Sequence, residues 1–234
     1  MDDTRVAIVT AAGSGIGEAC ARRLSADGYV PVLLSPSGSA VDVANDLGGD
    51  GFEGSVTDPD DLAALVETTH ERYGRVDAVV NNTGHPPSGD LIEISDEEWY
   101  EGMDLVLMNT IRMARLVTPI MEERGGGAIV NISTFSAFEP SSDFPVSSVL
   151  RAALGSYTKL YADRYAADGI RMNTVQPGFV DSYDVDEETR AEIPMGRPAR
   201  TEEIADAVAY LLSDESSYVT GQNLRVDGGI TSSM

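Results

Sequence analysis

The sequence is poor in cysteine, lysine and aromatic residues, and it has no long apolar run. Cys20 is the only cysteine among 234 residues, which excludes an intrachain disulfide and argues against a cysteine-built metal site. Its place on the first helical pattern marks it as a small core residue. Lys159 is the sole lysine, so arginine carries nearly all the positive charge. No stretch reaches the ~18 apolar residues of a membrane-spanning helix, and no basic, apolar leader precedes the first strand-like run. The expectation is a cytoplasmic protein with no membrane attachment. The chain holds 39 Asp and Glu against 16 Lys and Arg, a formal charge of −23 at pH 7. Nucleic-acid phosphates and anionic membrane surfaces would be repelled, so neither is an expected partner. Such acidity suits a salty cytoplasm; an ordinary acidic protein from a GC-rich genome accounts for it as well.

What is present is alternation. The run from Arg5 to Gly17, RVAIVTAAGSGIG, carries a buried strand pattern straight into a glycine-rich turn that opens a helix. Val6 to Val9 read as a strand covered on both faces, and Glu18 to Leu24 as helix. Gly13, Gly15 and Gly17 tighten the turn, admit a pyrophosphate to the backbone and let the helix pack closely, with its first amides facing the anion. Glycine strings also occur in purely structural turns; the position between first strand and first helix gives this one its weight. Further strand-like runs lie at Val30–Leu34, Gly51–Ser55, Ala78–Asn82, Ala128–Ser133, Arg171–Val175 and Asn223–Val226. Helical patterns fill the intervals. Asp58, Pro59 and Asp61 mark one helix start. Ser95 and Glu98 form a capping box at another, with Ile94 and Trp99 as its hydrophobic staple. With no linker or repeat, residues 1–234 are expected to form one α/β domain, a doubly wound parallel sheet of about seven strands with helices on both faces. Ligands of such sheets bind at the carboxyl ends of the strands.

Those ends carry the turn at Gly13, Ser35–Pro36, Ser55–Val56, NNTG from Asn81 to Gly84, ISTFS from Ile132, and QPGFV from Gln176 to Val180. In these motifs, and over almost its whole length, the chain resembles the short-chain dehydrogenase/reductase (SDR) family. The family's TGxxxGxG stands here as TAAGSGIG with Ala11 at the first glycine, its NNAG as NNTG, and its PG as Pro177–Gly178. The resemblance implies a Rossmann fold and NAD or NADP as cofactor. The dinucleotide would lie along Thr10, Gly13, Ser14, Gly15, Ile16 and Gly17, then Ser35, Ser55 and Val56, and then Asn82, Gly84, Arg151, Pro177, Gly178 and Val180. NAD-preferring relatives place an aspartate where Ser35 stands, so NADP is slightly favoured, although Pro36 brings no basic residue. Ser55 replaces the family's adenine-bonding aspartate, which lowers the expected affinity. The closing SYVTGQNLRVDGG is similar to a segment at the family's oligomer interface. A homo-oligomer, tetramer or dimer, is therefore expected through this strand and the helices starting near Asp96 and Pro145.

The catalytic set departs from the family. Its asparagine is matched by Asn109 and its serine by Thr134, but its tyrosine falls on Ser147 and its lysine on Arg151, an alignment fixed by RAAL against the family's KAAL. A phenol titrates near pH ~10, whereas an aliphatic hydroxyl is a far poorer acid. Arginine bonds ribose hydroxyls but stays protonated and cannot shuttle a proton. Ser147 and Arg151 share a helix face, which suits either a cleft or an ordinary polar surface. His85 and Tyr183 are the other candidate proton carriers; Tyr157 points away from the Arg151 face. Three readings remain open. The first is an NAD(P)-dependent oxidoreductase acting on a small carbonyl or alcohol with a non-standard proton donor. The second is a nucleotide-binding regulatory homologue without turnover. The third is a cofactor-independent lyase similar to halohydrin dehalogenases, which keep the tyrosine and lack the glycine turn.

Overall fold

Residues 4–233 are described in a computed structural model of the chain. Strand β1 (Arg5–Thr10) is buried through most of its length, and its alternate residues serve two cores. Ala7 and Val9 join a cluster with Cys20, Leu24, Ile204 and Val208, while Val6 and Ile8 join one with Leu62, Leu65, Met113 and Val117. The unbroken apolar run from Val6 to Val9 is thus explained by helices on both faces.

The chain continues through α1 (Gly15–Ala26), β2 (Tyr29–Ser35), α2 (Ser39–Leu47), β3 (Asp50–Glu53), α3 (Pro59–Tyr73), β4 (Ala78–Asn81), α4 (Asp96–Met103) and α5 (Asn109–Arg124). It closes with β5 (Gly127–Ile132), α6 (Pro145–Tyr165), β6 (Ile170–Pro177), α7 (Glu187–Glu192), α8 (Thr201–Leu212) and β7 (Asn223–Val226). The described residues form a seven-stranded sheet in the order β3-β2-β1-β4-β5-β6-β7. Every pairing is parallel, with Val9 opposite Val80, Val80 opposite Val130 and Ile132 opposite Val175. The strand order reverses between β1 and β4, so the carboxyl ends of β1, β4, β5 and β6 open onto one crevice.

The helix starts obey their caps. Asp58 accepts from the Asp60 amide at 2.8 Å with Pro59 in the first turn of α3. Ser95 and Glu98 close a reciprocal box at the start of α4, and Ile94 and Trp99 pack together with Val106 and Val146. A cap of this kind contributes about 1 kcal/mol.

Two features lie outside what the sequence pattern announces. The helix after Ser95 is not continuous: a π-helical turn over Asp104–Met108 separates α4 from α5. Asn109 donates from Nδ2 to the Leu105 carbonyl at 2.5 Å, closing that widened turn. The stretch from Phe179 to Pro198 contains the short helix α7, capped by Asp186, which accepts from the Thr189 amide at 2.7 Å.

A buried polar chain crosses the middle of the sheet. Asn81 donates to Asn131 at 2.8 Å, Asn131 to Thr158 on α6 at 3.0 Å, and Thr158 and Thr174 share a hydrogen bond of 2.9 Å. Unpaired amides would be penalised in this interior, so the chain fixes α6 over β4, β5 and β6. Among the described residues, no helix is long and apolar enough to cross a membrane.

Candidate functional site

The glycine turn keeps its form despite Ala11. That residue takes φ = 47°, the left-handed region, and among the described residues it is the one non-glycine to do so. Asn82 ties the turn to β4, donating from Nδ2 to the Ala11 carbonyl at 3.2 Å. Thr10 Oγ1 completes the tie by donating to the Asn82 carbonyl at 2.7 Å and accepting from its amide at 3.0 Å. Gly17 has to be glycine, because a Cβ there would collide with the Ala11 carbonyl and the Asn82 amide group. The exposed Ser14 precedes α1 without making a side-chain cap. The first amides of the helix, at Gly15, Ile16 and Gly17, therefore face the crevice without a side-chain acceptor from Ser14, which is what a diphosphate requires. A cleft of ≈ 720 Å³ runs from this turn past Thr83, Gly84 and His85 to Asp181, Ser182 and Tyr183. The residues present fit a dinucleotide.

At the end of β2 the hydroxyls are arranged differently from their sequence-based expectation as free nucleotide readers. Ser35 is buried, and its Oγ accepts from the Ala40 amide at 2.9 Å, serving the start of α2. Ser39 lies 3.4 Å from Ser35 Oγ and 2.8 Å from Ser37 Oγ, and it fills the space a side chain on Gly13 would need. The Glu53 carboxylate, from the end of β3, lies 3.3 Å from the point where a Cβ on Gly38 would stand. Sequence reading did not single out Glu53; its register opposite Ser35 was the available signal. Ser55 shares a 2.8 Å hydrogen bond with Thr57, and Val56 is buried beside it.

Arg151 dominates the other end. Its guanidinium is buried and spans the strand ends, donating from Nη1 to the Ile132 carbonyl at 2.6 Å and from Nη2 toward the Gly84 carbonyl at 3.5 Å. Burial pulls its pKa down to about 10, so it remains charged at neutral pH. Arg151 Nε, Ser133 Oγ and Thr83 Oγ1 are buried without a hydrogen-bond partner among the described residues. Ser147 is half-buried one turn before Arg151 on α6. Thr134, also half-buried, accepts weakly from Ser136 Oγ at 3.5 Å.

His85 and Tyr183 meet edge to face with ring centroids 5.9 Å apart. Burial, and then the charge of Arg151, lower the imidazole pKa below its ordinary value; burial raises that of the Tyr183 phenol. Two of the candidate proton carriers are thus adjacent at the crevice rim, and one feels Arg151. Tyr157 instead packs in the core with Tyr161, away from this cluster. Pro177 ends β6, Gly178 donates its amide to the Val226 carbonyl at 3.0 Å, and Val180 is buried below Tyr183 in sequence.

Comparison with known proteins extends this picture. Residues 10–231 match the family model described as enoyl-(acyl carrier protein) reductase. A cis-4-hydroxycyclohexanecarboxylate dehydrogenase of Sinomonas cyclohexanicum is 36% identical over 240 residues, covering 97% of this chain and 96% of that protein. The 3-oxoacyl-[acyl-carrier-protein] reductase FabG of Thermotoga maritima is 32% identical over 239 residues, covering 97% of each. A solved structure of YwfH, titled as an NADPH-dependent reductase of bacilysin biosynthesis, superposes with a TM-score of 0.94 at 24% identity, over 99% of this chain and all of that one. Sheet order, glycine turn and full-length relatives converge: the chain belongs to the short-chain dehydrogenase/reductase family, a family of oxidoreductases.

Proposed function

We propose that the chain is an NAD(P)-dependent oxidoreductase that reduces a carbonyl or oxidises an alcohol on a small molecule, using a proton donor other than the family tyrosine. The observation that carries this reading is the α1 start that Ser14 leaves uncapped, at the strand reversal, with a buried, charged Arg151 across the ends of β4 and β5. The relatives support it, being named as a dehydrogenase and as reductases. When bound, the dinucleotide supplies or accepts the hydride. The amides of Gly15, Ile16 and Gly17 hold its diphosphate. Arg151 donates to the ribose hydroxyls and places positive charge where oxygen becomes anionic, but moves no proton. Thr134 orients the substrate oxygen, and Asn109 maintains the π turn below it.

Proton transfer falls to His85, Ser147 or Tyr183. His85 is best suited, because an imidazole titrates near pH ~6.5 in its ordinary state and this one meets the Tyr183 ring and feels the charge of Arg151. NADP is favoured over NAD only slightly: Ser35 presents no carboxylate, whereas Glu53 brings one close. Calorimetric titration with NADPH and NADH, followed by assay on a panel of carbonyl substrates, tests the reading. Saturable binding with turnover is expected, and failure of either coenzyme to bind would overturn it. Ser147, an aliphatic hydroxyl where a phenol is usual, favours a second reading: a coenzyme-binding regulatory protein, which binding without turnover would support. Exposed Tyr100 on α4 and Val149 on α6 offer the apolar contacts for self-association.

A further inference from the structure

Three chain connections leave the carboxyl ends of β4, β5 and β6, residues 82–95, 133–144 and 178–200, and border the crevice beyond the glycine turn. Side-chain contacts knit them together. His85 meets Tyr183, the rings of Phe135 and Phe179 lie 5.5 Å apart between centroids, and Pro86 and Val146 both crowd the space that a side chain on Gly102 would need. A substrate that reaches Thr134 and His85 passes these segments.

Their charge is one-sided. The first holds Asp90 and Glu93 and the second Glu139 and Asp143, with no lysine or arginine in either. The third holds six acids against three arginines, Arg190, Arg197 and Arg200, each paired with Asp184 or Glu203. Arg151, at the floor, turns both terminal nitrogens to main-chain carbonyls, and its Nε is buried out of reach. An anionic substrate would therefore enter against a negative field, with no unpaired cation on these segments to meet it. The same connections expose apolar side chains: Leu91, Ile92, Phe144, Tyr183 and Met195 all face solvent, Ile92 being 89% and Met195 67% exposed. Scattered singly, such residues need no explanation. Gathered on the segments that border one crevice, they offer a surface to an apolar ligand. Tyr100 and Val149, assigned above to self-association, lie instead on the bodies of α4 and α6.

We propose, resting on the oxidoreductase reading for the chemistry, that the substrate is a free, uncharged carbonyl compound or alcohol with an apolar body. An acyl group carried on coenzyme A or on a phosphopantetheine arm is disfavoured. The apolar body packs against Leu91, Ile92, Phe144 and Met195 while the reacting oxygen reaches Thr134. The carboxylates of the mouth turn away phosphate-bearing carriers and free carboxylates alike.

The test compares 2-octanone, 7-oxooctanoate and 3-oxooctanoyl-coenzyme A on the full chain, by calorimetric binding with and without NADPH or NADH and by kcat/KM. At low salt 2-octanone is expected to exceed either anion about tenfold or more, and its margin over 7-oxooctanoate should shrink as salt screens the mouth. Ile92→Ser and Met195→Ser should each raise the Kd and KM for 2-octanone about three- to tenfold, more than they lower kcat, with circular dichroism showing both folded. Equal or better binding of 7-oxooctanoate or of the thioester, or an unchanged Kd in both serine variants, would overturn the proposal. So would a change of oligomeric state in those variants without ligand, because the apolar side chains would then belong to a contact between copies. If 2-octanone binds and neither coenzyme does, the oxidoreductase reading fails and the ligand class holds. If a coenzyme binds and 2-octanone does not, the ligand class alone fails.

Discussion

Replacing Ala11 by glycine should stabilise the protein, against the usual direction for such a change. Ala11 is held at φ = 47°, and the left-handed region costs a residue with a Cβ about 1–2 kcal/mol. Glycine removes that penalty but adds about 0.4–1 kcal/mol of unfolded-chain entropy. The difference leaves a net gain of about 0.5–1 kcal/mol, because Ala11 is not among the buried core residues and its carbonyl bond to Asn82 is unaffected. In a domain of this size that corresponds to a rise in Tm of about 1–4 °C. Differential scanning calorimetry of coenzyme-free protein at matched concentration measures it. Ala12→Gly is the internal control. Ala12 is fully buried and has no positive φ, so the same chemistry one residue later loses a buried methyl and flexibility, destabilising by about 1–2 kcal/mol. A lower Tm for Ala11→Gly than for the parent would refute the strain argument.

Glu53→Gln removes the carboxylate beside Gly38 and should raise the NADPH over NADH affinity ratio about three- to tenfold at low salt, less at high salt; an unchanged ratio in titrations would show that the 2′-phosphate lies elsewhere. His85, with its pKa lowered by burial and Arg151, takes up a proton more readily when unfolded. Below pH ~6.5 it therefore draws down stability until its lower folded pKa is passed. Thermal scans from about pH 7 to pH 5 should show His85→Gln losing less Tm than the parent, and a parallel decline would contradict this. The double variant Ser147→Tyr, Arg151→Lys restores the family proton donor and should raise carbonyl reduction about a hundredfold or more if proton transfer limits the rate. Steady-state rates on the same substrate decide, and equal or greater activity in the parent would exclude the regulatory reading.

The strands were legible because their apolar runs are bounded by turn residues, and because Asp58 and Ser95 announce their helices with side chains that act locally. The glycine turn was legible for the same reason: Gly13, Gly15 and Gly17 are adjacent in sequence. The π turn was not, since it depends on Asn109 reaching one turn back to Leu105 and leaves the apolar periodicity intact. The helix α7 lies in an acidic segment without an apolar stripe. Ser35 read as a nucleotide contact from its place after β2, but its hydroxyl is engaged five residues on, at Ala40. The lone charge of Arg151 was invisible as well, because its acceptors come from two other strand ends, 19 and 67 residues away.

The Asn81–Asn131–Thr158–Thr174 chain also bears on how the molecule opens. A slip of β5 by one residue would turn Asn131 to the opposite face and strand each of its partners. Strands β4, β5 and β6 with α6 should therefore exchange their amide protons as one cooperative unit, slowest of all, while the peripheral β3 and β7 exchange first. The floor of the crevice thus belongs to the part of the molecule that opens last.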